Sequence, residues 1–350
     1  MRAVVLARLA AREPLAGLDL AGADLRKLDL RRASLSGVSL RGANLSDAKL
    51  TEARLEDADL SGADLHDADL SGADLSRADL TRTDLSGARL ANATLTGARL
   101  HDARGPGAVF DNVSAARATF ARGTWDGASF RDADLAACDF SGASLSTADL
   151  SGARLPAARL EDARAHAALF DGAILADVEA PGAELTACSL RDVDAPRSTW
   201  TRAILRESRL CGAVLTAANL ERANLTKADL TSAHLPRANL QRVTGDFANF
   251  TRAVLEGADL RNAHLVSATF DEANLRDISA ARADLSRATF TGANLTNAQL
   301  RFARLRESNL TRAALEGADL RDADLERTDL RGSTRSGAKL SGANLRDAVE

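Results

Sequence analysis

The chain has 350 residues and a formal net charge of −4 at pH 7, with no Tyr and with Met only at position 1. No apolar stretch approaches the roughly 18 residues that a membrane-spanning helix needs, so a membrane protein is not expected. Arg8 interrupts the apolar N-terminal segment and no convincing cleavage site follows, so a secretory signal is not predicted and we expect a cytoplasmic protein.

The first predicted element is a short amphipathic helix over residues 1–13, with Val5, Leu6 and Leu9 on one side. An open end of a β-structure exposes strand edges and core, which favours a cap. We therefore expect residues 1–16 to form an N-terminal cap segment.

A strict five-residue period follows. From Leu15 to Leu345, every fifth residue is Leu, Phe or Trp at 59 of 67 positions, and no insertion shifts the count. Such a period indicates a solenoid, in which each unit buries its apolar side chains against its neighbours. We call the large apolar position i; i−2 is usually Ala, i−1 is often Asp or Asn, and i+2 is often Gly. This pattern predicts a very short strand followed by a corner.

The segments Ala58-Asp59-Leu60, Ala223-Asn224-Leu225 and Ala343-Asn344-Leu345 resemble the consensus of the pentapeptide-repeat proteins. The resemblance implies an all-β fold, a right-handed quadrilateral β-helix with four pentads per coil. About 17 coils are then expected, in one continuous β-helix over residues 17–350. The near-duplicate segments 251–260 and 311–320 lie 60 residues apart, which is three whole coils.

Small residues at position i are expected to be compensated within the core. Five of them come with a larger residue at i−2, as Ala115 does with Val113. Several are followed one pentad later by an aromatic residue, as Gly105 is by Phe110. Because interiors are closely packed, we expect that aromatic ring to fill the vacated space.

The residue pattern does not indicate catalysis. No pair of the five histidines has metal-ligand spacing, no Ser is placed beside a His and an acid, and the three cysteines suggest neither a disulfide set nor a metal site. We expect no enzyme, no cofactor and no metal. The histidines are His66, His101, His166, His234 and His264.

Residues 47–84 are strongly acidic, with eleven acidic and four basic residues and a net charge of −7. Spread over roughly 9 Å, this charge is comparable with that of duplex DNA at one charge per about 1.7 Å. The candidate partner-binding residues, which we name the acidic belt, are Asp57, Asp59, Asp64, Asp67, Asp69, Asp74, Asp79 and Asp84. The alternative is a merely solvated belt, because Asp at i−1 is the consensus residue on all four faces.

A second candidate surface lies downstream, where outward positions become apolar. Ile174, Val214 and Val254 are predicted to share one face, with Phe247 and Phe302 at exposed corners. We name these five residues the apolar set. Only five residues follow Leu345, so we expect the last coil to be a dimer interface or to end against a partner. The resemblance implies a homodimer through the C-terminal coil.

The resemblance further implies a non-enzymatic DNA mimic that binds DNA gyrase or topoisomerase IV and modulates it or protects it from inhibitors. No direct nucleic acid binding is expected. The Arg-rich remainder, including Arg202, Arg206 and Arg209, departs from this pattern because it would repel a cationic DNA-binding surface. The alternative is a protein-interaction or structural scaffold that uses the apolar set or assembles end to end.

Overall fold

The computed structural model describes residues 1–11 and 13–350, which form two compact units, Met1–Ile174 and Leu175–Glu350. Each unit is described by itself, and one continuous β-helix over 17–350 stays a prediction. Residue 12 of the predicted cap segment lies outside the described residues.

The first unit begins with helix α1, Arg2–Ala11. Val5 is buried, Leu9 is half-buried and Leu6 is exposed, so the buried side of the helix is narrower than the sequence predicts. The guanidinium of Arg2 donates to the carbonyl oxygen of Arg26 at 2.9 Å, which ties α1 to the first coils. Within the described residues, no helix has the length and apolar character needed to cross a membrane.

Each strand is reduced to a single bridging residue. The residue at i−1 forms a parallel bridge with the residue twenty positions later. In the first unit the bridges run from Asp19↔Ser39 to Arg154↔Ile174, and in the second from Glu179↔Thr199 to Asp329↔Val349. Twenty residues are four pentads, so each coil has four sides, as the sequence predicts.

Backbone hydrogen bonds account for four of the five N–H groups in a pentad. The N–H groups at i and i+2 donate to the next coil, the one at i−1 donates to the preceding coil, and the one at i−2 closes the corner. In one pentad, Asp59 N donates to Val38 O at 3.0 Å, Leu60 N to Asp79 O at 2.7 Å, Gly62 N to Thr81 O at 2.8 Å and Ala63 N to Leu60 O at 2.9 Å. The N–H at i+1 is left for a side chain, since a donor without a partner is costly.

The corner residue at i+2 adopts the left-handed conformation, with φ of 66° at Gly62. Glycine accepts this conformation without strain, whereas other residues lose about 1–2 kcal/mol. Phe247 and Phe302 both stand at such corners with φ of 60°. Two bulky aromatic residues therefore occupy positions that favour glycine.

The side chains at i and i−2 form the core. In the first unit, Phe110 stacks on Phe130 and Phe120 on Phe140, each pair one coil apart with ring centroids 4.7 Å from each other. In the second unit, Phe270 stacks in the same way between Phe250 and Phe290, at 4.8 and 5.0 Å. Core side chains thus pack mainly along columns of residues spaced by twenty.

This column packing corrects one expectation about compensation. A Cβ atom on Gly105 would lie 2.8 Å from Cζ3 of Trp125, and one on Gly245 would lie 2.8 Å from Cδ2 of Leu265. In both cases a side chain of the following coil, twenty residues later, fills the space. The prediction that Phe110 fills the space at Gly105 is therefore wrong. Phe110 instead packs edge-on against Trp125, with ring centroids 5.6 Å apart.

Candidate protein-binding surfaces

An Asp or Asn at i−1 completes the corner that follows it. Oδ1 of Asp59 accepts hydrogen bonds from Ser61 N at 3.0 Å and from Ser61 Oγ at 2.6 Å. The same contact to the N–H at i+1 is made by Asp64, Asp69, Asp74, Asp79 and Asp84. Because this N–H has no backbone partner, an oxygen at i−1 has a structural role, as in other local side-chain caps.

Asparagine performs the same role. Oδ1 of Asn219 accepts from Glu221 N at 3.1 Å, and Oδ1 of Asn224 accepts from Thr226 N at 3.0 Å. An amide oxygen caps the corner as a carboxylate does, so the cap does not depend on negative charge. All six i−1 positions from 59 to 84 are nonetheless Asp. The charge of the acidic belt is thus more than the fold requires.

The bridges distribute the acidic belt over all four sides of the first unit. Face A carries Asp59 bridged to Asp79, and the following face B carries Asp64 bridged to Asp84. Asp69 lies on the third side between Lys49 and Arg89, Asp74 lies on the fourth between Arg54 and Thr94, and Asp57 and Asp67 stand at corners. Faces A and B each stack two carboxylates, and Asp47 and Asp67 are stacked at the corner that follows face B.

Basic residues neutralise part of the belt. Arg41 lies 3.4 Å from Asp59, Arg77 2.7 Å from Asp57, Arg99 2.9 Å from Asp79 and Arg104 3.7 Å from Asp84. Among the described residues, Asp64, Asp69 and Asp74 have no cationic partner within 4.0 Å. Burial raises the pKa of the Asp79 carboxyl, but hydrogen bonds from Thr81 and Arg99 lower that pKa by more. Asp79 therefore stays ionised at neutral pH.

The apolar set does not form one surface. In the second unit, His234 stands between Val214 and Val254 and is bridged to both. Phe247 and Phe302 are exposed, at 61% and 47%, but side chains share a side only at multiples of twenty residues. The two rings therefore flank the side opposite that of Val254. Ile174, in the first unit, is half-buried and bridged to Arg154.

A column of arginines along one corner of the second unit was not predicted from the sequence. Arg202, Arg222, Arg242 and Arg282 occupy the same i+2 position of their coils, and Arg261 and Arg301 stand beside that column at i+1. We name these six residues the arginine ridge. The signal in the sequence is the same corner position recurring at intervals of twenty, which is visible once the coil length is known.

Two of the cysteine thiols have raised pKa values. Within the described residues, no group of three or more His, Cys, Asp and Glu is placed to hold a metal ion. Burial raises the pKa of the Cys138 thiol to about 12. Burial, and then the Asp229 carboxylate to which Sγ donates at 3.0 Å, raise the pKa of Cys211 to about 11. Both thiols are therefore protonated and weakly nucleophilic at neutral pH.

Apolar side chains are accessible in the last coil. Leu345 is 36% exposed, although the equivalent i position of the preceding coil, Leu325, is buried. Val349 is 49% exposed. Val349 occupies an i−1 position and is bridged to Asp329. An apolar residue therefore stands where Asp or Asn is usual.

Solved structures with similarity to the chain include HetL, a pentapeptide repeat protein involved in heterocyst differentiation regulation from the cyanobacterium Nostoc sp. strain PCC 7120. It is 26% identical, with 99% of this chain and 92% of HetL covered and a TM-score of 0.19. QnrB1, a plasmid-mediated fluoroquinolone resistance protein, is 17% identical over 48% of this chain and 91% of its own, with a TM-score of 0.25. A pentapeptide repeat protein of the Arabidopsis thaliana thylakoid lumen is 32% identical over 34% of this chain and 69% of its own, with a TM-score of 0.23.

No curated protein sequence matches the chain. The family described as pentapeptide repeats matches residues 15–51, 39–77, 73–104, 116–152, 128–164, 203–242, 248–280, 273–312 and 308–347. These matches cover most of both compact units and coincide with the five-residue period and the four-sided coil. The chain belongs to the pentapeptide-repeat family.

Proposed function

We propose that this chain is a non-enzymatic binding protein of the cytoplasm whose acidic belt occupies the DNA-binding surface of DNA gyrase or topoisomerase IV. The observation that carries the proposal is the run of six Asp residues at i−1 between Asp59 and Asp84, where Asn would cap the corner equally well. A cluster of like charge that the fold does not need is typical of a surface selected for a partner.

The charge density of the belt supports mimicry of DNA over a short length. Adjacent coils are separated by about 4.8 Å, so the belt extends over roughly 10 Å. A duplex of that length carries about six charges. The net charge of −7 over residues 47–84 is similar. Faces A and B present stacked carboxylates, and we expect that side to meet the cationic surface of the enzyme.

The test is a supercoiling assay with each enzyme, with and without a fluoroquinolone, at two salt concentrations. The belt variant replaces Asp by Asn at Asp59, Asp64, Asp69, Asp74, Asp79 and Asp84, which removes charge and keeps every corner bond. The control variant makes the same change at Asp134, Asp139, Asp149, Asp229, Asp259 and Asp284, which also cap corners. Both variants should fold as the wild type does.

The wild type and the control are expected to inhibit the enzyme or to protect it from the drug, and the effect should weaken at high salt because it is electrostatic. The belt variant is expected to lose the effect. An equally active belt variant, or inhibition that salt does not change, would contradict mimicry. A wild type without effect on either enzyme would remove these enzymes as partners.

We also propose a homodimer through the C-terminal coil, supported by the exposure of Leu345 and Val349. Val349→Asn installs a usual residue at i−1 without stacking a second carboxylate on Asp329, and should preserve the coil. Light scattering is expected to show a dimeric wild type and a monomeric variant. Larger concentration-dependent species would instead indicate a scaffold that assembles end to end, and a monomeric wild type would contradict both.

A further inference from the structure

Where a corner arginine has an acid twenty residues away at the same corner, the two side chains usually form an ion pair. Because corner residues twenty apart are neighbours, the guanidinium of one reaches the carboxylate of the other. Such pairs are Arg32–Glu52 at 2.7 Å, Arg77–Asp57 at 2.7 Å, Arg122–Asp102 at 2.9 Å, Arg197–Asp177 at 2.6 Å and Arg252–Glu272 at 2.7 Å. Alternation of charge along a corner is therefore the common arrangement.

The arginine ridge breaks this rule. Arg202, Arg222 and Arg242 follow one another at the same corner, so like charges are stacked at the rise of the coil, about 4.8 Å. Glu221 lies 3.7 Å from Arg222 and 3.9 Å from Arg242, and at i+1 Arg261 lies 2.6 Å from Asp259 and Arg301 3.8 Å from Asp322. Among the described residues, Arg202 has no carboxylate within 4.0 Å. Like charges on neighbouring strands destabilise, so the ridge is maintained against the needs of the fold.

One exposed aromatic ring lies on the ridge, and a second stands one corner away from it. Phe302 follows Arg301 directly, and its ring centroid is 5.2 Å from Cζ of Arg301 and 5.7 Å from Cζ of Arg282. Phe247 stands one corner beyond Arg242 in the same coil. Both rings occupy left-handed corners that favour glycine, so neither exposure nor backbone conformation gives a structural reason for them.

We infer that the arginine ridge, with Phe247 and Phe302, binds single-stranded nucleic acid. Proteins that bind single strands combine a cationic track for the phosphates with aromatic side chains on which bases stack. From Arg202 to Arg301 the ridge crosses five coil steps, about 24 Å, which is enough for a short site of roughly four nucleotides. The inference runs against the sequence-based prediction of no direct nucleic acid binding.

Two other polyanions fit less well. A duplex keeps its bases stacked inside, so it would leave both rings without a role. The acidic belt of a second copy extends over only about 10 Å, less than half of the ridge. Outward positions of the belt are also polar, so it offers nothing apolar to cover the rings. Unpaired bases account for the charge, the length and the two rings together.

The first test measures fluorescence anisotropy of labelled oligo-dT and oligo-U of about 16 nucleotides, over a range of salt concentrations. The ridge variant replaces Arg202, Arg222, Arg242 and Arg282 by Gln. The control makes the same replacement at Arg197, Arg252, Arg287 and Arg327, which have acidic neighbours one coil away. The slope of log affinity against log salt should shrink by about 3 in the ridge variant if four phosphate contacts are lost. The control should bind almost as the wild type does.

The second test removes the rings without harming the fold. Phe247→Gly and Phe302→Gly suit the left-handed corners, so both variants should melt no lower than the wild type. Each is expected to weaken oligonucleotide binding about tenfold, which corresponds to the loss of one stacked base. Weaker binding in a variant of undiminished stability cannot be attributed to misfolding.

Several results would overturn the inference. The first is that the wild type does not bind the oligonucleotides. The second is that the ridge variant and its control lose oligonucleotide affinity equally. The third is that the wild type binds a duplex as tightly as a single strand. Self-association that the ridge variant abolishes, without oligonucleotide binding, would assign the ridge to a second copy instead. The belt variant should bind oligonucleotide undiminished, so this test and the topoisomerase test fail independently.

Discussion

Gly123 and Trp125 provide a sharp test of packing in the first unit. Ala is usual at i−2, but Gly123 stands there when Trp125 occupies position i. A Cβ atom on Gly123 would lie 2.4 Å from Nε1 of Trp125 and 2.9 Å from the carbonyl oxygen of Ala103. Gly123→Ala therefore restores the usual residue of the family and is nevertheless expected to destabilise the protein.

The expected changes in the free energy of unfolding follow from the packing around the Trp125 indole. Overpacking of this kind costs about 1–3 kcal/mol. Trp125→Leu removes roughly 60 Å³ of buried volume, which at about 24 cal/mol per Å³ costs about 1.4 kcal/mol beyond the lost transfer free energy. It also removes the hydrogen bond from Nε1 to Phe120 O at 3.1 Å. In the double variant the new Cβ no longer meets an indole, so we expect a favourable coupling free energy of about 2 kcal/mol.

The assay is native-state hydrogen exchange of the amides around residues 100–145, because repeat proteins do not always unfold in one step and local opening free energies are needed. A matched control cycle uses Ala128→Gly and Phe130→Leu, since Ala128 is already accommodated beside a buried aromatic ring. The control should be additive within about 0.5 kcal/mol. Additivity in the Gly123 and Trp125 cycle as well would refute the argument that the indole excludes a Cβ atom.

Three further predictions concern the corners, the carboxylates and a thiol. Asp64→Asn should leave the melting temperature unchanged because an amide oxygen still accepts a hydrogen bond from His66 N. Asp64→Ala should lower the free energy of unfolding by about 1 kcal/mol. Equal melting temperatures of the two variants would argue against the corner cap. Hydrogen bonds from Arg26 and Arg31 hold the pKa values of Asp24 and Asp29 at about 2. Their stabilisation is complete above the unfolded pKa of about 3.9 and should disappear as the pH falls towards 2, so thermal melts that stay unchanged down to pH 2 would contradict it. Asp229→Asn should accelerate alkylation of Cys211 at pH 8, because removing the carboxylate lowers the pKa of the thiol. Mass spectrometry measures the rate, with Cys211→Ser as the control. An unchanged rate would mean that burial alone raises the thiol pKa.

The five-residue period was enough to predict a solenoid of short strands and corners, because buried Leu, small Ala and corner Gly each have one place in it, whereas four pentads per coil were implied by the family resemblance. The side chains that contact one another between coils could not be predicted from the five-residue period. The space beside Gly105 is filled by Trp125 and not by Phe110, and Phe302 lies on a different side of the coil from Val254. Both relations depend on the twenty-residue spacing. Side-chain partners such as Arg77 and Asp57 also depend on rotamers, which a repeat pattern does not contain.

The structural needs of this coil separate its functional residues from its framework. The framework uses a side-chain oxygen at i−1 of many corners and a left-handed residue at i+2, and charged residues that meet along a corner usually alternate in sign. Asp59 bridged to Asp79 and Arg202 followed by Arg222 both stack like charges, although Asn or an alternating pair would satisfy the coil. Because such stacks oppose stability, their retention is explained best by partners of opposite charge. The belt and the ridge thus point to a cationic protein surface and to an anionic strand, respectively.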